Sequence, residues 1–372
     1  MRKKFILAEP KINLDNANNL LKSVIKSNYF NENKYTKILE KKFSHLLKVK
    51  YVVATTSGTI SIFLALKASG IKYGDQVIIP NITFPATANA VRLAGAIPVI
   101  VDVDKKNLLI DTKKLEKKIN NKTKAIIPVH ISGRGNNIKS ILSIAKKKGI
   151  RVIEDAAEAL MSKVHKKFLG THGDIGCFSF APNKILTTGQ GGMVVTNNKE
   201  IYKKLYQLKD QGRSKIIQGG EDDYKIVGYN FKFTELQAAL GLSQLGEILK
   251  RKKTLINHYK VYKKYLPNNK YFRLIGFDLK SGELPLWTDV YCKDRNKLFK
   301  FLRKKGIFCR FFWKPLHNLR QYKQNAKFFP NSNELKNKLL WLPSSLHLKK
   351  KDIIKICNEI NRYYNKNYLK LS

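Results

Sequence analysis

Between residues 50 and 200 the chain alternates short, continuous apolar runs with stretches of helical periodicity. The runs Val77–Pro80, Ile97–Asp104, Ala125–His130 and Arg151–Asp155 end in, or are followed directly by, polar residues. That is how strands buried on both faces read. Between them the spacing predicts helices over Thr59–Ser69, Ala86–Ala94, Asp111–Asn120 and Ile138–Lys148. Strand and helix in alternation require a mostly parallel sheet with helices on both sides. Ligands of such sheets bind beyond the carboxyl ends of the strands, so the residues that follow each apolar run are the candidates for chemistry. Past residue 234 the texture changes: Thr234–Leu249 starts at an N-cap and carries apolar residues at helical spacing, and a long helix over Lys250–Leu266 follows. The expected division is a large domain over 1–250 and a smaller C-terminal domain over 251–372.

Composition narrows the class of protein. Hydrophobic residues make up 43% of the 372, enough for a sizeable core and too many for a disordered chain. The net charge of +45 would ordinarily nominate nucleic acid or an anionic membrane as partner. Yet the cations are 60 lysines against 12 arginines, in doublets and triplets spread along the whole chain. Readers of nucleic acid favour the planar arginine fork. Lys, Asn and Ile are abundant together and share AT-rich codons, so the expectation is that genome composition supplied much of the charge. The charge alone supports a non-enzymatic basic binding protein; nothing else does. Cys177, Cys292, Cys309 and Cys357 are isolated, without a His at metal spacing, which argues against a zinc site or a disulfide framework. The apolar run of the N-terminus is about four residues, too short for a signal peptide, and no stretch approaches a membrane span. The expectation is a cytoplasmic protein with no metal, no nucleic acid and no membrane insertion.

The densest chemistry lies in Val152–Thr196. Asp155 follows a buried strand; an apolar strand over Ile175–Phe180 comes next, then Lys184, then the turn TTGQGG and a further strand, MVVT. Each piece has an ordinary structural explanation: a helix cap, a surface lysine, a tight turn. Their joint order suits a Schiff-base lysine facing a carboxylate that partners a pyridinium nitrogen.

In these segments the chain resembles the DegT/DnrJ-type sugar aminotransferase family, pyridoxal 5'-phosphate (PLP) enzymes that aminate nucleotide-linked keto sugars. The landmarks are Thr55–Leu66, Pro80–Val91, Glu154–Ala159, Gly173–Met193, Gly228–Leu245 and Pro315–His317, and the likeness runs from about Leu7 to the C-terminus. It implies PLP-dependent transferase fold type I: a large α/β domain with a mixed, mostly parallel seven-stranded sheet, plus a smaller C-terminal α/β domain. It implies that Lys184 holds PLP covalently and moves the proton, that Asp155 pairs with the pyridine nitrogen and that Phe84 stacks on the ring. Gly58 and Thr59 open a helix whose N–H groups suit a phosphate. Ser57 stands either as a further contact or as the helix cap. Ser179 matches a phosphate-binding serine, and Asn230 one that reaches the phosphate of the other subunit, which makes a homodimer the working unit.

Two positions depart from the commonest pattern: Glu158 stands where many members carry Gln beside the cofactor's phenolic oxygen, and Gln190 where GEGG is usual. Related dehydratases carry His in place of the lysine, so Lys184 favours transamination. His130 falls where the family places groups near the acceptor, and Trp313 and His317 lie in the C-terminal unit, in position to close over the nucleotide sugar. The wording EDAAEA and NK-x-x-TTG is nearest to perosamine-type members, which aminate C4 of a GDP-linked 4-keto-6-deoxy sugar with L-glutamate as donor, for surface polysaccharide or O-antigen. UDP- and dTDP-linked 3- or 4-keto sugars are the alternatives.

Overall fold

The computed structural model describes residues 4–135, 137–215 and 220–368. Two helices, α1 (Leu14–Lys26) and α2 (Lys34–Leu47), precede β1 (Tyr51–Thr55). Strand and helix then alternate: α3 (Gly58–Ala68), β2 (Gln76–Pro80), α4 (Pro85–Leu93), β3 (Ile97–Val101), α5 (Thr112–Glu116), β4 (Thr123–Ile126), α6 (Ile138–Lys148) and β5 (Arg151–Asp155). A small hairpin, β6 (Lys163–Val164) and β7 (Lys167–Phe168), leads to β8 (Ile175–Ser179) and β9 (Gly192–Thr196). After α7 (Lys199–Lys209) and a short ladder of β10 (Arg213–Lys215) with β11 (Asp223–Tyr224) come α8 (Glu235–Leu245) and α9 (Ile248–Tyr265). The remainder comprises β12 (Phe272–Leu274), β13 (Thr288–Cys292), α10 (Arg295–Lys304), β14 (Arg310–Phe311), α11 (Pro330–Leu335), β15 (Leu339–Leu342) and α12 (Lys350–Tyr368).

The large sheet has seven strands in the order β1-β9-β8-β5-β4-β2-β3, and only β9 runs against the rest. This is the mixed, mostly parallel sheet of the expected fold class. Its strands QVIIP and GMVVT are buried along almost their whole length because helices cover both faces. The helix α3 (GTISIFLALKA) is apolar nearly all round, and residues on every side of it are buried, including Ile62, Phe63, Leu64 and Leu66. Packed against β8, α4 and α7, it points its N-terminus at the carboxyl edge of the sheet. A second, antiparallel sheet, β12-β13-β15-β14, carries α10 and α12 on its own apolar cluster. Among the described residues no helix is long and apolar enough to cross a membrane.

Several elements stop earlier or start elsewhere than the sequence predicts; the helix predicted over Thr234–Leu249, for one, ends at Leu245 with Gly246 at its C-cap. The run Ala125–His130 is not one strand: β4 ends at Ile126, since Pro128 has no N–H for the ladder, and Val129 rejoins through a lone bridge to Asp155. The strand predicted to reach Asp104 ends at Val101, because Asp102 turns inward to accept hydrogen bonds from Ser332 and Asn331 backbone N–H groups and from Lys114. Helix α5 covers only Thr112–Glu116, its start set by Asp111 accepting from the N–H groups of Lys113 and Lys114.

The first turn of α2 is tied to α8 by a buried carboxylate. Glu235 Oε1 accepts from the N–H groups of Asn33 and Thr36 and from the Thr36 hydroxyl, and Oε2 accepts from the Tyr35 N–H. It thus satisfies the open first turn of α2 in place of a local cap, which Asn33 does not provide. Glu235→Ala leaves four donors without partners, and chemical denaturation is expected to show a loss of about 3 kcal/mol.

Candidate active site

The carboxyl edges of β1, β2, β5 and β8 converge on a cavity of ≈ 410 Å³, closed from the other side by the small sheet. At its floor β5 ends in Asp155, which is 5% exposed. Its Oδ2 accepts from the Thr87 hydroxyl at 2.7 Å and its Oδ1 from the Ala157 N–H at 3.2 Å. Burial pushes the carboxyl above the ordinary carboxylate range, and these two donors only partly oppose that. An anion so placed gains from a cationic partner delivered into the cavity.

Lys184 sits on the turn after β8, with its Nζ 3.2 Å from Glu158 Oε1. Glu158 is fixed from three directions. Oε1 also accepts from the Trp287 indole N–H at 3.0 Å, and Oε2 accepts from the Ser132 N–H at 2.9 Å. Ser132 holds a left-handed backbone, φ 55°, unusual for a residue with a side chain. Its hydroxyl on Asp289, and the Leu286 N–H on its carbonyl, pin it there. Asp289 in turn is ion-paired in the interior with Arg134, whose guanidinium lies 3.6 Å from the Phe277 ring centroid. So Glu158 neither turns away nor stands free: the small sheet orients it toward the lysine.

The cavity also takes in the N-terminus of α3, whose open N–H groups can cradle an anion. Ser57 caps α3 by accepting the Ile60 N–H, which settles its local role, and it lines the cavity together with Gly58, Thr59 and Ser179. A Cβ on Gly58 would lie 2.8 Å from Ser179 Cβ, so glycine is required for this close approach. A Cβ on Gly192 would lie 2.5 Å from the Ser57 carbonyl. The last glycine of GQGG is therefore needed for packing β9 against the start of α3, beyond making a turn. Phe84, 51% exposed, ends the β2 loop over the cavity, 5.7 Å from the Trp313 ring. Gln190 also lines the cavity, and its carbonyl is held by the Gln237 side chain of α8.

Three expected residues lie elsewhere. His130, expected near the acceptor, is 1% exposed and does not line the cavity; its Nε2 is 2.7 Å from Glu154 Oε2. Glu154 points to the other face of β5 from Asp155 and also accepts the N–H groups of Gly170 and Gly173. His130 is accordingly a structural partner of that buried carboxylate. His317 is likewise buried, stacked on Phe329 at 4.7 Å with Nδ1 2.8 Å from the Asn81 side-chain nitrogen, so it braces the β2 loop and cannot close over a sugar. Asn230 is exposed and contributes nothing to this chain's own cavity. Trp313, by contrast, does line it.

The sequence reading missed Thr87, Trp287, Arg310 and Trp341. Thr87 was discoverable: it lies one helical turn after Phe84 in α4, facing the end of β5. A second signal was available too, since the chain has only three tryptophans and all three line this cavity.

These residues fit PLP. A cradle of helix N–H groups and hydroxyls suits its phosphate, a buried carboxylate raised by desolvation suits a protonated ring nitrogen, and a lysine stands between them. Comparison with known proteins agrees. The model of the DegT/DnrJ/EryC1/StrS aminotransferase family matches residues 12–361. A GDP-perosamine synthase of Vibrio cholerae is 36% identical over 341 residues, covering 89% of this chain and 91% of that protein. A UDP-N-acetyl-3-dehydro-alpha-D-glucosamine 3-aminotransferase of Acidithiobacillus ferrooxidans is 33% identical, covering 87% of each. Among solved structures, Helicobacter pylori PseC, an aminotransferase involved in the biosynthesis of pseudoaminic acid, superposes with a TM-score of 0.91 at 26% identity, over 98% of this chain and 100% of that one.

Proposed function

The chain belongs to the DegT/DnrJ/EryC1/StrS aminotransferase family and is a PLP-dependent transaminase of nucleotide sugars; from that premise we propose that it transfers the amino group of L-glutamate to C4 of a GDP-linked 4-keto-6-deoxyhexose. The observation that carries the chemistry is the placement of Lys184 and the buried Asp155 in one cavity with the anion cradle. The similarity to GDP-perosamine synthases supports the sugar.

When bound, PLP supplies an electron-accepting ring that carries the amino group from one substrate to the other. In this reading Lys184 holds the cofactor covalently and its Nζ then moves the proton at the amino-bearing carbon. Glu158, with its orientation set by Trp287 and the Ser132 N–H, keeps that Nζ directed into the cavity. Asp155, steadied by Thr87, keeps the ring nitrogen protonated. Gly58, Thr59 and Ser179 bind the phosphate, Phe84 covers the ring, and Trp313 borders the sugar. Asn230, exposed beside the cavity-bearing domain, completes the phosphate site of a second copy in a homodimer. The product belongs to the assembly of a surface polysaccharide.

The test is a panel of GDP-, UDP- and dTDP-linked keto sugars offered with glutamate, with the aminated carbon read by NMR. Amination at C4 of the GDP sugar is expected. Preference for a UDP-linked 3-keto sugar would overturn this choice and favour the activity named for the Acidithiobacillus relative.

A further inference from the structure

The cavity is lined by two acids and two cations, and their pairing is unequal. Asp155 is met by Thr87 and by the cofactor in the reading above, and Glu158 is paired with Lys184. Arg310 is left over. It projects from β14 on the small-sheet side, its backbone held in register with Trp341 of β15, and its guanidinium lies 5.7 Å from the Trp341 ring. The side chain is exposed and makes no ion pair with any acid among the described residues. The buried arginines Arg134 and Arg251 are occupied, by Asp289 and by backbone carbonyls with Glu247, and Arg151 is paired with Asp174.

In a chain with 60 lysines, arginine at a cavity wall is the exception. What it offers over lysine is a planar fork that meets two oxygens of a carboxylate or phosphoryl group at once. The cradle for the cofactor's phosphate is on the large-sheet side, at Gly58 and Ser179, so Arg310 faces the space left for substrate. Both substrates of a nucleotide-sugar transaminase are anions.

We propose that Arg310 is the substrate-anion anchor of this site, binding the anionic oxygens of the incoming molecule, a carboxylate of the amino donor or a phosphoryl oxygen of the acceptor's diphosphate. The assignment rests on the aminotransferase reading above. It makes Arg310 a determinant of affinity; the proton transfers stay with Lys184.

The experiment compares the wild-type holoenzyme with Arg310→Gln and Arg310→Lys in two arms. One reads the glutamate concentration that half-maximally bleaches the absorbance of the lysine-bound cofactor. The other reads the half-saturating concentration of the accepted sugar nucleotide in restoring it. Calorimetric binding of glutarate and of GDP gives the same division without turnover. Arg310→Gln is expected to weaken at least one arm about tenfold or more while the cofactor's absorbance and the melting temperature stay as in the wild type. Arg310→Lys should recover part of that loss, which a purely steric role would not show. A loss confined to the glutamate and glutarate measurements assigns the carboxylate, and a loss confined to the nucleotides assigns the diphosphate. Unchanged affinity in both arms overturns the proposal. A wild type that shows no cofactor absorbance, or none that glutamate bleaches, refutes the parent reading instead.

Discussion

Lys184→Ala gives a protein without the near-visible absorbance of a lysine-bound cofactor, and glutamate no longer changes its spectrum. Transamination is expected to fall by at least about 10³-fold, and further if no other base reaches the substrate carbon, since general-base help alone is worth roughly 10²–10⁴. Two features of the structure make the result interpretable. Glu158 keeps two of its donors in the variant, Trp287 and the Ser132 N–H, so the pocket wall stays in place. Asp155 is held by Thr87 and Ala157 and does not depend on the lysine for its position. The melting temperature should drop by a few degrees at most, because one partner of a mostly buried pair is lost while its other hydrogen bonds remain. Survival of the absorbance in this variant would remove Lys184 from the mechanism.

Asp155→Asn separates catalysis from stability. The amide keeps the shape of the carboxyl and a partner for the Thr87 hydroxyl but loses the charge that a protonated ring nitrogen needs. A drop of about 10²–10³ in kcat is expected, the scale of a misplaced electrostatic contact in a dry site. Cofactor affinity should fall with it. The stability of the cofactor-free chain should move the other way. Because burial raises the Asp155 carboxyl above its ordinary 3.8, the folded state holds that proton more tightly than the unfolded state does. The group's contribution is therefore favourable in acid and is lost as pH rises from near 3.8 through the raised value. At neutral pH the ionised, buried carboxylate is a cost, and the asparagine variant is free of it. Denaturation of the cofactor-free proteins over a pH series should show the variant gaining on the wild type as pH increases. A variant less stable than the wild type at neutral pH would contradict this account of Asp155.

How much of the site could be read from the sequence follows chain order. Ser57, Gly58, Phe84, Asp155, Ser179 and Lys184 all stand within a few residues of the carboxyl end of a strand, and an alternating sheet brings those ends to one edge. Local spacing nominates Asp155, Lys184 and the helix opening at Gly58, whereas Phe84 and Ser179 are marked only by the family resemblance. Trp287, Arg310 and Trp341 come from a second sheet more than 100 residues beyond Lys184 in the chain, and nothing local marks them as facing the first. Polar residues near the expected acceptor also misled: His130 and His317 look like ligand-facing groups, yet each is turned inward by a buried partner, Glu154 for one and Asn81 for the other. Val129, the residue before His130, does line the cavity, since one residue's displacement along an extended segment reverses the face.

By itself the sequence determined the doubly covered sheet, through apolar runs that no half-exposed strand tolerates, and the carboxylate and lysine that the sheet's edge must present. Only the tertiary structure decided how they are held. It turned Glu158 from an uncertain departure into the joint between lysine and small sheet, and it left Arg310 with an unanswered charge in the cavity wall. The physical reason is that strand periodicity specifies which face a side chain takes, whereas partnership between distant faces is set by packing of the two sheets, and no short-range pattern encodes that packing.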